Sequence, residues 1–136
     1  MKIYFAGSIR GGRDDVALYH QIINYLKNYG QVLTEHVGSD SLTSIGENVL
    51  NDVRIHDRDM EWLKSSDIII AEVTNPSLGV GYEIGMALNL NKKIICLYKT
   101  QKGKRLSAMI SGSKAINVIE YGSFEEAKKS IDDILI

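Results

Sequence analysis

Two short stretches carry the residue types that could do chemistry in this 136-residue chain. The first is Gly7-Ser8-Ile9-Arg10-Gly11-Gly12, between an apolar run and a helical pattern. Glycines let the backbone approach an anion closely. A helix N-terminus attracts phosphate, and Arg10 and Ser8 add side-chain donors. The pattern is neither a Walker-type lysine loop nor a dinucleotide glycine motif, so an anion cradle and an ordinary tight turn both fit it. The second stretch is Ser77-Leu78-Gly79-Val80-Gly81-Tyr82-Glu83, which puts a carboxylate in the predicted first turn of a helix. That placement suits a simple charge–dipole pairing. Beside a phosphate site, however, a carboxylate repels the ligand unless it has a task. Attack on a sugar carbon is such a task, since a carboxylate stabilises an oxocarbenium-like transition state and can bond to it.

Further candidates are more open. Asp59 lies on a predicted helix with Ile55 and Trp62 at i−4 and i+3. It reads as a second site carboxylate or as a surface residue, whereas Asp52 and Asp57 read as solvated. Tyr4 sits mid-strand, where a buried hydroxyl needs a partner. His36, in Thr34-Glu35-His36, is a loop histidine with a structural or a catalytic role.

The elements that must position these residues follow from periodicity. Strands are predicted at Lys2–Ala6, Gln31–Thr34, Asp67–Val73, Lys93–Tyr98 and Ile116–Glu120. Helices are predicted from about Asp14 to Tyr29, with Leu18, Ile22 and Leu26 on one face and Gly30 as stop. A second runs from Ile45 to Lys64, with Val49, Val53, Met60 and Leu63 as its apolar stripe. A third runs from Tyr82 to Asn91, a short one covers Leu106–Ser111, and a last one is capped by Ser123 with Glu126 in the capping-box position. Residues 35–44 read as loop. The alternation predicts one α/β domain over residues 1–136: a doubly wound, Rossmann-like (flavodoxin-like) five-stranded parallel sheet of order 2-1-3-4-5. The two glycine-rich loops then meet at the switch point between strands one and three, where such folds bind ligands.

Composition narrows the partners. Net charge is −1 and hydrophobic residues make up 44% of the chain. A nucleic-acid polymer is not an expected partner, and any phosphate must be met locally. No apolar run approaches the ~20 residues that span a bilayer, so no membrane association is expected. The single Cys96 lies in an apolar run and reads as core. A cytoplasmic setting is expected, with no metal or organic cofactor.

The chain resembles the 2′-deoxynucleoside 5′-phosphate N-hydrolase family of the nucleoside 2-deoxyribosyltransferase-like superfamily. Lys2–Gly12, Leu33-Thr34-Glu35-His36-Val37, His56 to Leu63 and Leu106-Ser107-Ala108-Met109-Ile110 carry the likeness. Its most specific part is Ala71-Glu72-Val73-Thr74-Asn75-Pro76-Ser77-Leu78-Gly79-Val80-Gly81-Tyr82-Glu83. The resemblance implies that Glu83 is the nucleophile taking the deoxyribosyl group. Asp59 would assist at the base or orient Glu83, and Tyr4 would lie near the sugar and the catalytic carboxylate. Gly7, Ser8, Ile9, Arg10, Gly11, Ser77 and Gly79 would surround the 5′-phosphate, with Ser107 arriving from the partner of a homodimer with shared sites. The implied substrate is a deoxynucleoside monophosphate. Its base preference is unread, because base contacts are expected from the variable segment 38–50 and nearby helix positions. A nucleoside 2-deoxyribosyltransferase, a CMP-type ribonucleotide N-hydrolase and a non-catalytic nucleotide sensor are the alternatives.

Overall fold

The computed structural model describes residues 1–8, 16–34 and 51–136. Five strands, β1 (Lys2–Ala6), β2 (Gln31–Val32), β3 (Ile68–Glu72), β4 (Lys93–Lys99) and β5 (Ile116–Tyr121), form one parallel sheet of order β2-β1-β3-β4-β5. The helices are α1 (Val16–Leu26), α2 (Asp52–Ser65), α3 (Leu78–Asn89), α4 (Ala108–Ser111) and α5 (Phe124–Leu135). The expected doubly wound order is therefore the observed one.

Burial on both faces explains why the central strands read as unbroken apolar runs. Successive side chains of β3 alternate between two cores. Ile68 and Ile70 join Ile3, Phe5, Tyr19, Ile22 and Leu26 under α1 and α5. Ile69 and Ala71 join Tyr4, Ala6, Leu63, Ile84 and Cys96 under α2 and α3. Each fully buried large aliphatic side chain contributes roughly 1.5–3 kcal/mol. Burial also pushes the Cys96 thiol up to about 12, with the Glu72 charge adding to the rise, so this cysteine is core.

Several local expectations shift. In α1 the buried face is Tyr19, Ile22, Ile23 and Leu26, while Leu18 is only partly buried. Gly30 follows the helix for a steric reason: a Cβ there would stand 2.1 Å from the Met1 carbonyl oxygen. Val53, expected in the apolar stripe of the second helix, is 69% exposed; Met60 and Leu63 carry that packing. Among the described residues that helix starts at Asp52, with Asn51 as N-cap accepting from the Arg54 amide. Val49, the stretch 35–50 and the start of the first helix lie outside the described residues. At the C-terminus Ser123 does cap α5, accepting from the Glu126 amide. The Glu126 carboxylate reaches back to the Gly122 amide, one residue beyond the usual capping-box partner.

Candidate active site

The site is built at the C-terminal edge of β1 and β3, which pair in register Phe5↔Ile70 and Ala6↔Ala71. Both strands end here side by side, so the chain segments leaving them share one edge. From β1, Gly7 and Ser8 are held by Tyr19 of α1. A Cβ on Gly7 would stand 3.0 Å from the Tyr19 ring, and the Ser8 amide donates to the Tyr19 hydroxyl at 3.1 Å. Ser8 is fully buried, and among the described residues its Oγ has no hydrogen-bond partner. A buried hydroxyl in that state is costly unless something meets it. Ile9, Arg10, Gly11 and His36 lie outside the described residues.

From β3 the chain turns through Thr74–Pro76 into α3, which begins at Leu78 with Ser77 as N-cap; the Ser77 Oγ accepts from the Val80 amide at 3.3 Å. The helix thus starts four residues before the expected Tyr82. Its first amides, Leu78 and Gly79 among them, have no acceptor within the helix and suit an anion. Glu83 consequently falls in the second turn, not the first, and no acidic residue occupies the first turn. Simple charge–dipole pairing at the helix start therefore does not account for Glu83.

Glu83 faces inward. Its Oε2 accepts a hydrogen bond from the hydroxyl of Tyr4, a fully buried residue of β1. Burial pushes the Glu83 carboxyl up to about 7. The Tyr4 bond pulls the other way, and the Asp59 charge adds to the rise. Burial, and then the charges of Glu83 and Asp59, also raise the Tyr4 phenol far above its ordinary range, so it stays a donor; Arg58 opposes that rise. Asp59 reaches the site from α2, about three-quarters buried at 23% side-chain exposure. Its Oδ1 accepts from Arg58 Nε at 3.0 Å and from Nη2 at 2.9 Å. The structure thus brings Tyr4, Asp59 and Glu83 together from three elements. One is a carboxylate with a raised pKa and another is paired with a cation, a combination suited to proton exchange around a nucleophile.

Ser107 is the exposed N-cap of α4. It lines a groove of about 430 Å³ together with Asn75, Ser77, Tyr98 and Arg105. Leu78 and Met109, 97% and 82% exposed, flank it. Sheet order alone suggests that Ser107 stands far from its own chain's site, yet it and Ser77 of the same chain line one groove.

Glu72 is a residue that the sequence reading passed over. It is fully buried at the end of β3 and accepts from the Thr74 amide at 2.8 Å, from Thr74 Oγ1 at 2.9 Å and from the Tyr121 hydroxyl. Thr74 Oγ1 in turn accepts from the Lys99 amide at 2.9 Å. This network pins the turn that feeds α3. The only sequence signal for it is a charged residue inside an otherwise apolar strand. Among the described residues no cluster of His, Cys, Asp and Glu is arranged to hold a metal ion, and no helix is long and apolar enough to cross a membrane.

Comparison with known proteins places this arrangement. The family model described as nucleoside 2-deoxyribosyltransferase matches residues 3–125. The 5-hydroxymethyl-dUMP N-hydrolase of Danio rerio is 55% identical over 126 residues, covering 93% of this chain and 88% of that protein. The Homo sapiens protein of the same name is 48% identical over 127 residues, covering 93% and 73%. In structure, the CMP N-glycosidase of Clostridium botulinum superposes with a TM-score of 0.74 at 18% identity, covering 99% of this chain and 100% of that one, a likeness of fold. The chain belongs to the nucleoside 2-deoxyribosyltransferase family. Within it, the chain belongs to the branch of 2′-deoxynucleoside 5′-phosphate N-hydrolases.

Proposed function

We propose that this protein hydrolyses the N-glycosidic bond of 2′-deoxynucleoside 5′-monophosphates, releasing free base and 2-deoxyribose 5-phosphate. The observation that carries the reading is the inward-facing Glu83, hydrogen-bonded to Tyr4 and within the field of a second carboxylate, Asp59. N-hydrolase relatives at 55% and 48% identity support the reaction class.

In this mechanism Glu83 attacks C1′ as the C1′–N bond breaks and its electron pair leaves with the base. A carboxyl ester of deoxyribose 5-phosphate forms. The two carboxyl groups share one proton in the free enzyme, held on the Glu83 side. Substrate binding moves it to Asp59, which delivers it to the departing base. Water then attacks C1′ of the ester, Asp59 takes the water's proton, and Glu83 leaves as a carboxylate. The Tyr4 hydroxyl orients Glu83 and stabilises its anionic form. No metal or organic cofactor takes part.

The 5′-phosphate is assigned to Gly7, Ser8, Ile9, Arg10, Gly11, Ser77 and Gly79. The unpartnered Ser8 Oγ and the first amides of α3 support this. The same features argue against a transferase acting on free nucleosides, whose substrates bring no anion to such a site. Ser107 joins the phosphate from a second copy of the chain, across a contact that buries Leu78 and Met109. Its groove with Ser77 supports a second reading, in which Ser107 serves its own chain's site. The setting we assign is cytoplasmic. Chromatography of deoxy- and ribonucleoside monophosphates incubated with the protein tests the function. Free base and 2-deoxyribose 5-phosphate are expected from the deoxy series, and unchanged nucleotides throughout would leave only a binding role.

A further inference from the structure

Arg58 is bound to its own sequence neighbour. Residues at i and i+1 of a helix do not face each other, so an Arg–Asp pair at that spacing forms only when the long side chain folds back. Here it does. Nε and Nη2 both reach Asp59 Oδ1, and the guanidinium lies 4.7 Å from the centroid of the Trp62 ring, one turn further along α2. The stack supports the folded-back rotamer, and the ion pair is three-quarters shielded, with side-chain exposures of 24% and 23%.

We propose that Arg58 is a positioning residue of the carboxylate pair: stacked on Trp62, its guanidinium fixes the orientation and the charge of the Asp59 carboxylate that acts on Glu83. This rests on the N-hydrolase reading, for which Asp59 must start as the ionised member of the pair. Among the described residues, Arg58 is the cation seen in contact with Asp59. From β1 the site receives Tyr4, Lys2 being exposed at the far end of that strand. From α3 it receives Glu83, the only charged side chain of that helix. On α2, His56 is turned to Asp57 and to the Tyr82 hydroxyl, each at 3.0 Å, and Arg54, Glu61 and Lys64 are exposed. The positive charge of Arg58 is felt as far as the Tyr4 phenol. Without it, the ionised form of Asp59 loses a stabilising partner, and the pair holds its proton to higher pH.

The test compares wild type with Arg58→Gln, Arg58→Lys and Trp62→Leu in the full chain, by carbon-13 NMR titration of the side-chain carboxyls and by pH profiles of kcat/KM on dGMP over about pH 5 to 9. Arg58→Gln should raise the Asp59 midpoint by roughly one unit and lower kcat about tenfold at neutral pH. Arg58→Lys should bring the midpoint back toward wild type, and Trp62→Leu should move it the same way as Arg58→Gln by less. A folded Arg58→Gln protein with wild-type midpoints and an unshifted pH profile overturns the proposal. Shifted midpoints in a protein that turns over no deoxynucleotide uphold the positioning role and sink the hydrolase reading alone.

Discussion

The Tyr4 hydroxyl donates to the Glu83 carboxylate across 79 positions of sequence, tying the middle of the first strand to the second turn of the third helix. This single bond does two jobs. It turns Glu83 away from solvent and toward the space above β1. It also offsets part of the desolvation that burial imposes on the carboxylate.

Replacing Glu83 with Gln keeps the shape and the acceptor for Tyr4 but removes the nucleophile. Turnover should fall by several orders of magnitude while nucleotide binding survives. Steady-state kinetics beside isothermal titration with dGMP check this. Near-normal kcat in a folded variant would sink the nucleophile assignment.

The same substitution has a stability signature. Glu83 titrates near 7 in the folded chain against an ordinary value near 4.5, so the folded state holds the proton more tightly. That contribution is complete below about 4.5 and is lost as pH rises through about 7. Glu83→Gln should therefore be more stable than wild type at pH 8, by at most roughly 3 kcal/mol before solvent screening reduces it, and about as stable as wild type at pH 4. Thermal melts at the two pH values decide it, and an equal difference at both would contradict the buried-carboxyl account.

If the pair must hold one proton, kcat/KM should fall as pH rises through about 7. Tyr4→Phe removes the bond that holds the Glu83 value down, so the limb should move to higher pH. A profile that rises through pH 7 would mean that the shared proton inhibits, and that the base leaves without help from Asp59.

Much of this site was legible in the chain, for identifiable reasons. The order of the sheet followed from alternating strands and helices, because parallel strands buried on both faces leave long apolar runs such as Ile68-Ile69-Ile70. Tyr4 and Glu83 were legible as types, and the family resemblance put Tyr4 near the catalytic carboxylate, but their hydrogen bond joins residues 79 apart and leaves no local trace. The start of α3 was misread because Gly79 and Gly81 look like loop, while the Ser77 cap and packing of Val80, Ile84 and Ala87 hold them in a helix. Val53 misled by type, being an apolar residue on the solvent side of α2. Glu72 and the clamp of Arg58 on Asp59 depend on tertiary neighbours or on a rotamer, and neither leaves a periodic trace.

Binding energy from the 5′-phosphate should be spent on placing C1′ against Glu83. Deoxyguanosine should be a far poorer substrate than dGMP, and GMP should bind but react roughly 100-fold more slowly or worse. Comparable kcat/KM for deoxyguanosine and dGMP would favour the transferase.

A shared site predicts complementation. In a heterodimer of Glu83→Gln and Ser107→Arg chains, one site carries both defects and the other neither, so mixing should restore activity above either parent. Exchange without recovery would return Ser107 to its own chain's groove with Ser77.

The most direct test of a covalent displacement by Glu83 is stereochemical. A β-deoxynucleoside 5′-monophosphate is turned over in water with added methanol, and the anomer of the methyl deoxyriboside 5-phosphate is read by proton NMR as it forms. Two inversions at C1′ predict the β anomer alone. The α anomer, or a mixture of both from the start, would contradict an ester on Glu83.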